Sequence, residues 1–166
     1  MSDLTHEEVK KILDYDSDAG VLTWKIRAKS TRPVGSLAGI TSRKDGYLDI
    51  GIRGKRYLTH RIIWFWMTGE WPENEVDHIN GDKADNQWKN LRAATRHQNI
   101  QNRGPHADNL VGLKGVTIDK RRRKYQAQIY AGGRKKFLGY FDCPAAAHFA
   151  YFVAAESLHG EFARTA

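Results

Sequence analysis

A chain of 166 residues with 40% hydrophobic content has room for one ordinary domain or two small ones, and its 27 Lys and Arg against 19 Asp and Glu give a net charge of +8 that favours a polyanionic partner. The single cysteine, Cys143, excludes an internal disulfide framework and Cys-rich zinc sites, so no structural zinc is expected and any metal must be held by His, Asp or Asn. No apolar run is long enough to span a membrane and MSDLTHEEVKK lacks the apolar core of a secretion signal, so a cytoplasmic protein with no membrane partner is expected.

In chain order, Thr5 and Glu8 form a capping box that predicts a short helix running to about Tyr15. Gly20 precedes an alternating, strand-like stretch over 21–26. Further strands are predicted over 47–53 and 56–59, joined through Gly54 and Lys55, so that this stretch forms a small sheet. The apolar run HRIIWFWMT over 60–68 ends at Gly69 and predicts a short buried helix, with a buried strand as the alternative. After Trp71 and Pro72, residues 75–102 read as strand, loop, strand and helix, the last starting near Arg96 behind a Thr95–Gln98 capping box.

The composition then shifts. Residues 104–113, with Gly104, Pro105, Asn109 and Gly112, have the character of a linker. Beyond it, 115–119, 125–130 and 136–141 read as three strands, the second and third joined at Gly132 and Gly133. Pro144 suits the first turn of a helix that continues to Leu158 and stops at Gly160, with Ala147, Ala150 or Tyr151, Ala154 and Leu158 on one face. The predicted fold class is α+β, divided into an N-terminal α+β segment (1–59), a central unit (60–103), a linker (104–113) and a C-terminal module (114–166).

The chemistry concentrates in VDHINGDKADNQWKNLRAATRHQNIQN, where Asp77 and His78 are followed by Asn90 and then Asn99. Histidine titrates near neutral pH and can activate water, while carboxylate and amide oxygens are hard ligands for a divalent cation. Each residue also has a plainer reading: a lone His is commonly structural, and Asn80, Asn86 and Asn90 are all good turn formers. Neighbouring strand residues point to opposite faces, so Asp77 and His78 can serve one site only at a kink or strand end, with which Asn80 and Gly81 are consistent.

This stretch, with the lead-in His60 and Arg61 and the connection Gly69 to Pro72, resembles the HNH endonucleases, particularly the phage and intron-encoded homing branch whose last ligand is Asn. The resemblance implies a ββα-metal unit and a phosphodiester hydrolase. It assigns His78 as general base, Asp77 and Asn99 as ligands of one Mg²⁺ or Mn²⁺ per site, and Asn90 as the residue that orients the His or ties down the hairpin loop. His60 is expected to be structural or phosphate-contacting. Arg61, Arg92 and Arg96 are candidates for gripping backbone phosphates, or else surface charges.

In the C-terminal module, Gly115 and Val116, Lys124 to Ala127, Leu138 to Phe141 and the Ala-rich helix resemble the ethylene-response-factor-like DNA-binding domain. That resemblance implies a three-stranded sheet backed by one helix, with the sheet entering the major groove of double-stranded DNA. Lys120, Arg121, Arg122, Arg123, Lys124, Gln126, Gln128, Tyr130, Arg134 and Lys136 would face the DNA, while Phe137, Tyr140 and Phe141 are expected mostly in the core. Thr117, Tyr125 and Phe137 depart from the plant pattern, so base preference does not carry over.

Together these readings predict a metal-dependent DNA endonuclease, monomeric or homodimeric, in the host cytoplasm if phage-encoded. It nicks one strand per engagement, or cuts both as a dimer. The rival readings are a catalytically inactive, sequence-specific DNA-binding protein and, more weakly, an RNA-directed enzyme or binder.

Overall fold

The computed structural model describes residues 4–27 and 32–164. It is an α+β structure of small antiparallel sheets and four α-helices among the described residues. The chain divides into two compact units, Met1–Arg96 and His97–Ala166.

In the first unit, helix α1 (His6–Ile12) opens with the expected capping box, both halves of which form between Thr5 and Glu8. It is shorter than the sequence predicts: the chain becomes extended at Leu13, and β1 (Leu13–Asp16) pairs with β2 (Val21–Trp24). The reason is tertiary. Leu13 and Tyr15 alternate with exposed Asp14 and Asp16, and as a strand both apolar side chains reach the core. A two-residue strand, β3 (Leu37–Ala38), extends this sheet, and a second sheet holds β4 (Thr41–Ser42), β5 (Leu48–Ile52) and β6 (Lys55–Leu58). The β5–β6 turn is Arg53 and Gly54, one residue earlier than expected. Both have positive φ, which matches the twist of a two-residue hairpin.

Helix α2 (Thr59–Thr68) follows and ends, as its sequence indicates, at a left-handed Gly69. Its Ile62, Ile63 and Phe65 join Val9, Leu13, Leu22, Trp24, Ile50 and Val76 in one continuous core. Strands β7 (Glu75–His78) and β8 (Leu91–Ala94) form a two-stranded ribbon, joined by a loop that ends in a single 3₁₀ turn over Trp88–Asn90. Strand, loop, strand and helix over 75–102 match the sequence expectation, the helix α3 (Arg96–Gln101) starting where the second capping box places it.

In the second unit, β9 (Val116–Asp119), β10 (Lys124–Ala131) and β11 (Arg134–Phe141) form an antiparallel sheet in the order β11-β10-β9, against which α4 (Pro144–His159) packs. Gly132 and Gly133 make the second hairpin, both with positive φ. Val116, Ala127 and Ile129 meet Ala147, Tyr151 and Ala155 of the helix, the small side chains permitting close approach. Leu158, expected on that face, is instead exposed, and Ala155 takes the inward position. Gly115 lies so close to the Tyr151 ring that an added Cβ would sit 2.0 Å from it.

Candidate active site

In the β7–β8 ribbon Asp77 lies within β7 and His78 at its end. Asp77 lies opposite Arg92 in the ladder, and its Oδ2 accepts hydrogen bonds from Arg92 Nε at 3.0 Å and Nη2 at 2.8 Å. The carboxylate side chain is only 4% exposed and the guanidinium 12%, so this is a largely buried ion pair. Arg92, expected to be a phosphate-gripping residue, is thus engaged with the candidate ligand. Its position directly across the strand pair from a buried carboxylate is the physical reason.

His78 is the last residue of β7 and is buried. Its Nε2 lies 3.1 Å from Asn86 Oδ1, and its ring packs edge-on to His60 at 5.0 Å and tilted to Tyr47 at 6.0 Å. Burial lowers the His78 pKa, opposed by the Asn86 hydrogen bond and by the negative charges of Asp77, Asp82 and Asp85. His60 is buried more deeply. Desolvation, with the neighbouring His78 and Arg61 charges, pushes its pKa down to about 3, and its buried Nδ1 has no hydrogen-bond partner among the described residues. His60 is therefore a neutral wall of the site, in line with the structural role expected of it.

Asn90 spends its side chain on the loop. Its Oδ1 accepts from the Asn80 backbone at 3.0 Å, and its Nδ2 donates to Asp85 O at 2.7 Å and Asn80 Oδ1 at 3.1 Å. Of the two roles left open by the sequence, orienting the histidine or tying down the loop, the hydrogen bonds match the second. Asn80 joins the same network by donating to Asp85 Oδ2 at 2.7 Å, and Gly81 takes the positive φ of the turn. The histidine is instead met by Asn86, 2% exposed, which sequence reasoning treated only as a turn former. Nothing in spacing distinguishes Asn86 from Asn80, because its role depends on the path of the loop.

Arg61 also departs from expectation. Its guanidinium donates to Asn74 O at 2.9 Å and Pro72 O at 3.3 Å, pinning the segment between α2 and β7. Arg96 is exposed at the start of α3. Asn99 lies half-buried on α3 in the second unit. Among the described residues no three His, Cys, Asp or Glu side chains gather as a metal site.

The outer face of the second unit's sheet carries the candidate DNA-facing side chains. Gln126, Gln128 and Tyr130 alternate with the helix-facing Ala127, Ile129 and Ala131, and Tyr130 is 56% exposed. A bulge in β11 opposite Ala127 and Gln128 makes Leu138 the extra residue. It directs Leu138 and Phe141 to the core but leaves Phe137 and Tyr140 exposed with their rings 5.0 Å apart, against the expectation that these two aromatics are core. The ladder also pairs Arg134 with Ala131 and Lys136 with Ile129, whose side chains face α4, whereas Lys135 pairs with outward Tyr130. Lys135 is accordingly the outward lysine of that strand, in place of Lys136.

In the β9–β10 turn Lys120, Arg121 and Arg123 are mostly exposed. Arg122 bonds Asp119 Oδ2 at 3.0 Å and lies 4.8 Å from the Tyr140 ring centre, and Lys124 Nζ lies 3.1 Å from Asp142 Oδ1.

A family model described as HNH endonuclease matches residues 57–101, which run from β6 through α2 and the β7–β8 ribbon to the end of α3. Protein 3.8 of Escherichia phage T7 is 30% identical over 106 residues, covering 63% of this chain and 87% of that protein. The chain belongs to the HNH endonuclease family. A solved structure titled "DNA binding and cleavage by the HNH homing endonuclease I-HmuI" aligns at 25% identity with a TM-score of 0.46. The alignment covers 61% of this chain, which spans 57% of that neighbour.

Proposed function

We propose that this protein is a metal-dependent DNA endonuclease in which His78 is the general base and Asp77 a ligand of one divalent cation. The observation that carries the reading is the buried His78 at the end of β7, its pKa lowered by burial and its Nε2 in hydrogen-bond contact with Asn86, beside a loop locked by Asn90. A neutral imidazole is the protonation state that accepts a proton from water.

Asp77 fits a cation by donor chemistry: its carboxylate is a hard oxygen donor, and Mg²⁺ binds well with few protein ligands because it retains water and takes substrate phosphate. When bound, the cation would stabilise charge on the phosphate and on the leaving oxygen. The protein's own part is to hold the imidazole against His60 and Tyr47 and to fix the Asp77 carboxylate with Arg92. It keeps the 79–86 loop from collapsing into the site through Asn90.

Double-stranded DNA is the proposed partner. The outer sheet face of the second unit, with Lys120, Arg121, Arg123, Lys124, Gln126, Gln128, Tyr130 and Lys135, supplies cations for phosphates and amides for base edges. The sheet-on-helix build supports this use, and the major groove is wide enough for β structure.

The test is relaxation of supercoiled plasmid with Mg²⁺ or Mn²⁺. Wild type is expected to nick it, while His78→Ala or added chelator lowers the rate at least about a hundredfold. A folded wild type that binds duplex DNA but cuts none of a varied set contradicts the proposal and favours a catalytically inactive binder. Preferential cleavage of structured RNA contradicts the assigned substrate.

A further inference from the structure

We infer that Asn86, clamped from outside by the β1–β2 hairpin, is the positioning residue that fixes the tautomer and orientation of His78. The inference deepens the nuclease reading and rests on it.

Asn86 Nδ2 donates to Ala84 O at 3.3 Å, which leaves Oδ1 as the acceptor 3.1 Å from His78 Nε2. An acceptor there requires the ring hydrogen on Nε2, so Nδ1 carries the basic lone pair. The amide can impose this choice only if it is itself immobile.

Three contacts from a hairpin about seventy residues earlier hold it. The Tyr15 hydroxyl donates to Asn86 O at 2.7 Å, and Trp88 N donates to Ser17 O at 3.1 Å. At Gly20, in the left-handed region at φ 71°, an added Cβ would lie 2.7 Å from Asn86 C and 2.5 Å from Gln87 N, so two backbones meet where no side chain fits. Tyr15 is 8% exposed and packs edge-on to Trp66 at 5.7 Å, which anchors the clamp in the core. The N-terminal hairpin thereby acts on the chemistry without touching substrate.

The experiment combines long-range ¹H–¹⁵N correlation of His78 in the full chain at pH 8 with steady-state cleavage of a duplex oligonucleotide in Mg²⁺. Wild type is expected to show hydrogen on Nε2. Asn86→Leu should mix the tautomers and lower kcat about a hundredfold with KM unchanged within about twofold, and Asn86→Asp, which keeps an acceptor oxygen, should recover most of that loss. Tyr15→Phe and Gly20→Ala should lower kcat by about three- to tenfold in the same manner.

Hydrogen on Nδ1 in wild type, or an Asn86→Leu enzyme cutting within twofold of wild type, overturns the inference. Should Gly20→Ala or Asn86→Leu fail to fold, the wild-type tautomer alone still decides against or for it. A wild type with hydrogen on Nε2 that cuts no DNA with either metal supports the positioning geometry and overturns the nuclease reading instead.

Discussion

The β7–β8 ribbon and the outer face of the second unit's sheet place polar side chains in opposite ways. In the ribbon Asp77, His78, Asn86 and Asn90 are all at most 7% exposed, and each is held by named hydrogen bonds. On the sheet, Arg121, Arg123 and Tyr130 stand in solvent. The first arrangement suits a reaction, which needs groups fixed before substrate arrives. The second suits a grip on phosphates, where cations act at a distance and their loss is spread over affinity and salt dependence.

That contrast ranks the expected effects of mutation. The largest is at Arg92: breaking a buried ion pair by removing one partner is strongly destabilising, so Arg92→Leu should cost about 3 kcal/mol in denaturant unfolding. A loss below about 1 kcal/mol would place the ribbon among the exposed regions after all. Next, Arg121→Glu with Arg123→Glu should leave stability unchanged and make the slope of log affinity against log salt shallower by about 2, one unit per phosphate contact. Arg122→Glu alone should do less to binding, since Arg122 is already paired with Asp119.

A smaller effect is expected at the exposed aromatic pair. Phe137→Ala should weaken duplex binding by about three- to tenfold without changing the salt slope, because its contact is apolar.

The smallest concerns acid sensitivity at His60. Its pKa of about 3 in the folded protein lies below the ordinary 6.5, so the unfolded state binds the extra proton. The stability this burial confers is present above pH 6.5 and drains as pH falls from there toward 3. Melting temperatures followed from pH 7 to 4 should therefore fall less steeply for His60→Gln than for wild type, and parallel curves would refute the assignment.

The fold was legible wherever local chemistry and tertiary demand agreed. The Thr5 capping box, the Gly69 stop and the Gly132–Gly133 turn each did what their backbone preferences dictate. Local reasoning failed where burial overrode it. Residues 13–16 continue a helical composition, yet Leu13 and Tyr15 reach the core only as a strand. The β11 bulge, which no pattern announces, turned Phe137 outward.

In the candidate site, the placement of Asp77 and His78 at a strand end was legible. The partners Arg92 and Asn86 were not, since cross-strand register and loop path decide what a side chain meets.

The separation between a fixed catalytic ribbon and an electrostatic grip is tested most directly by measuring both properties on two variants. Single-turnover cleavage in Mg²⁺ and duplex affinity in EDTA would be determined for His78→Ala and for Arg121→Glu with Arg123→Glu. The first is expected to lose cleavage at least about a hundredfold at unchanged affinity, and the second to lose affinity while cutting at near wild-type rate once saturated. Equal losses of both properties in both variants would contradict that separation.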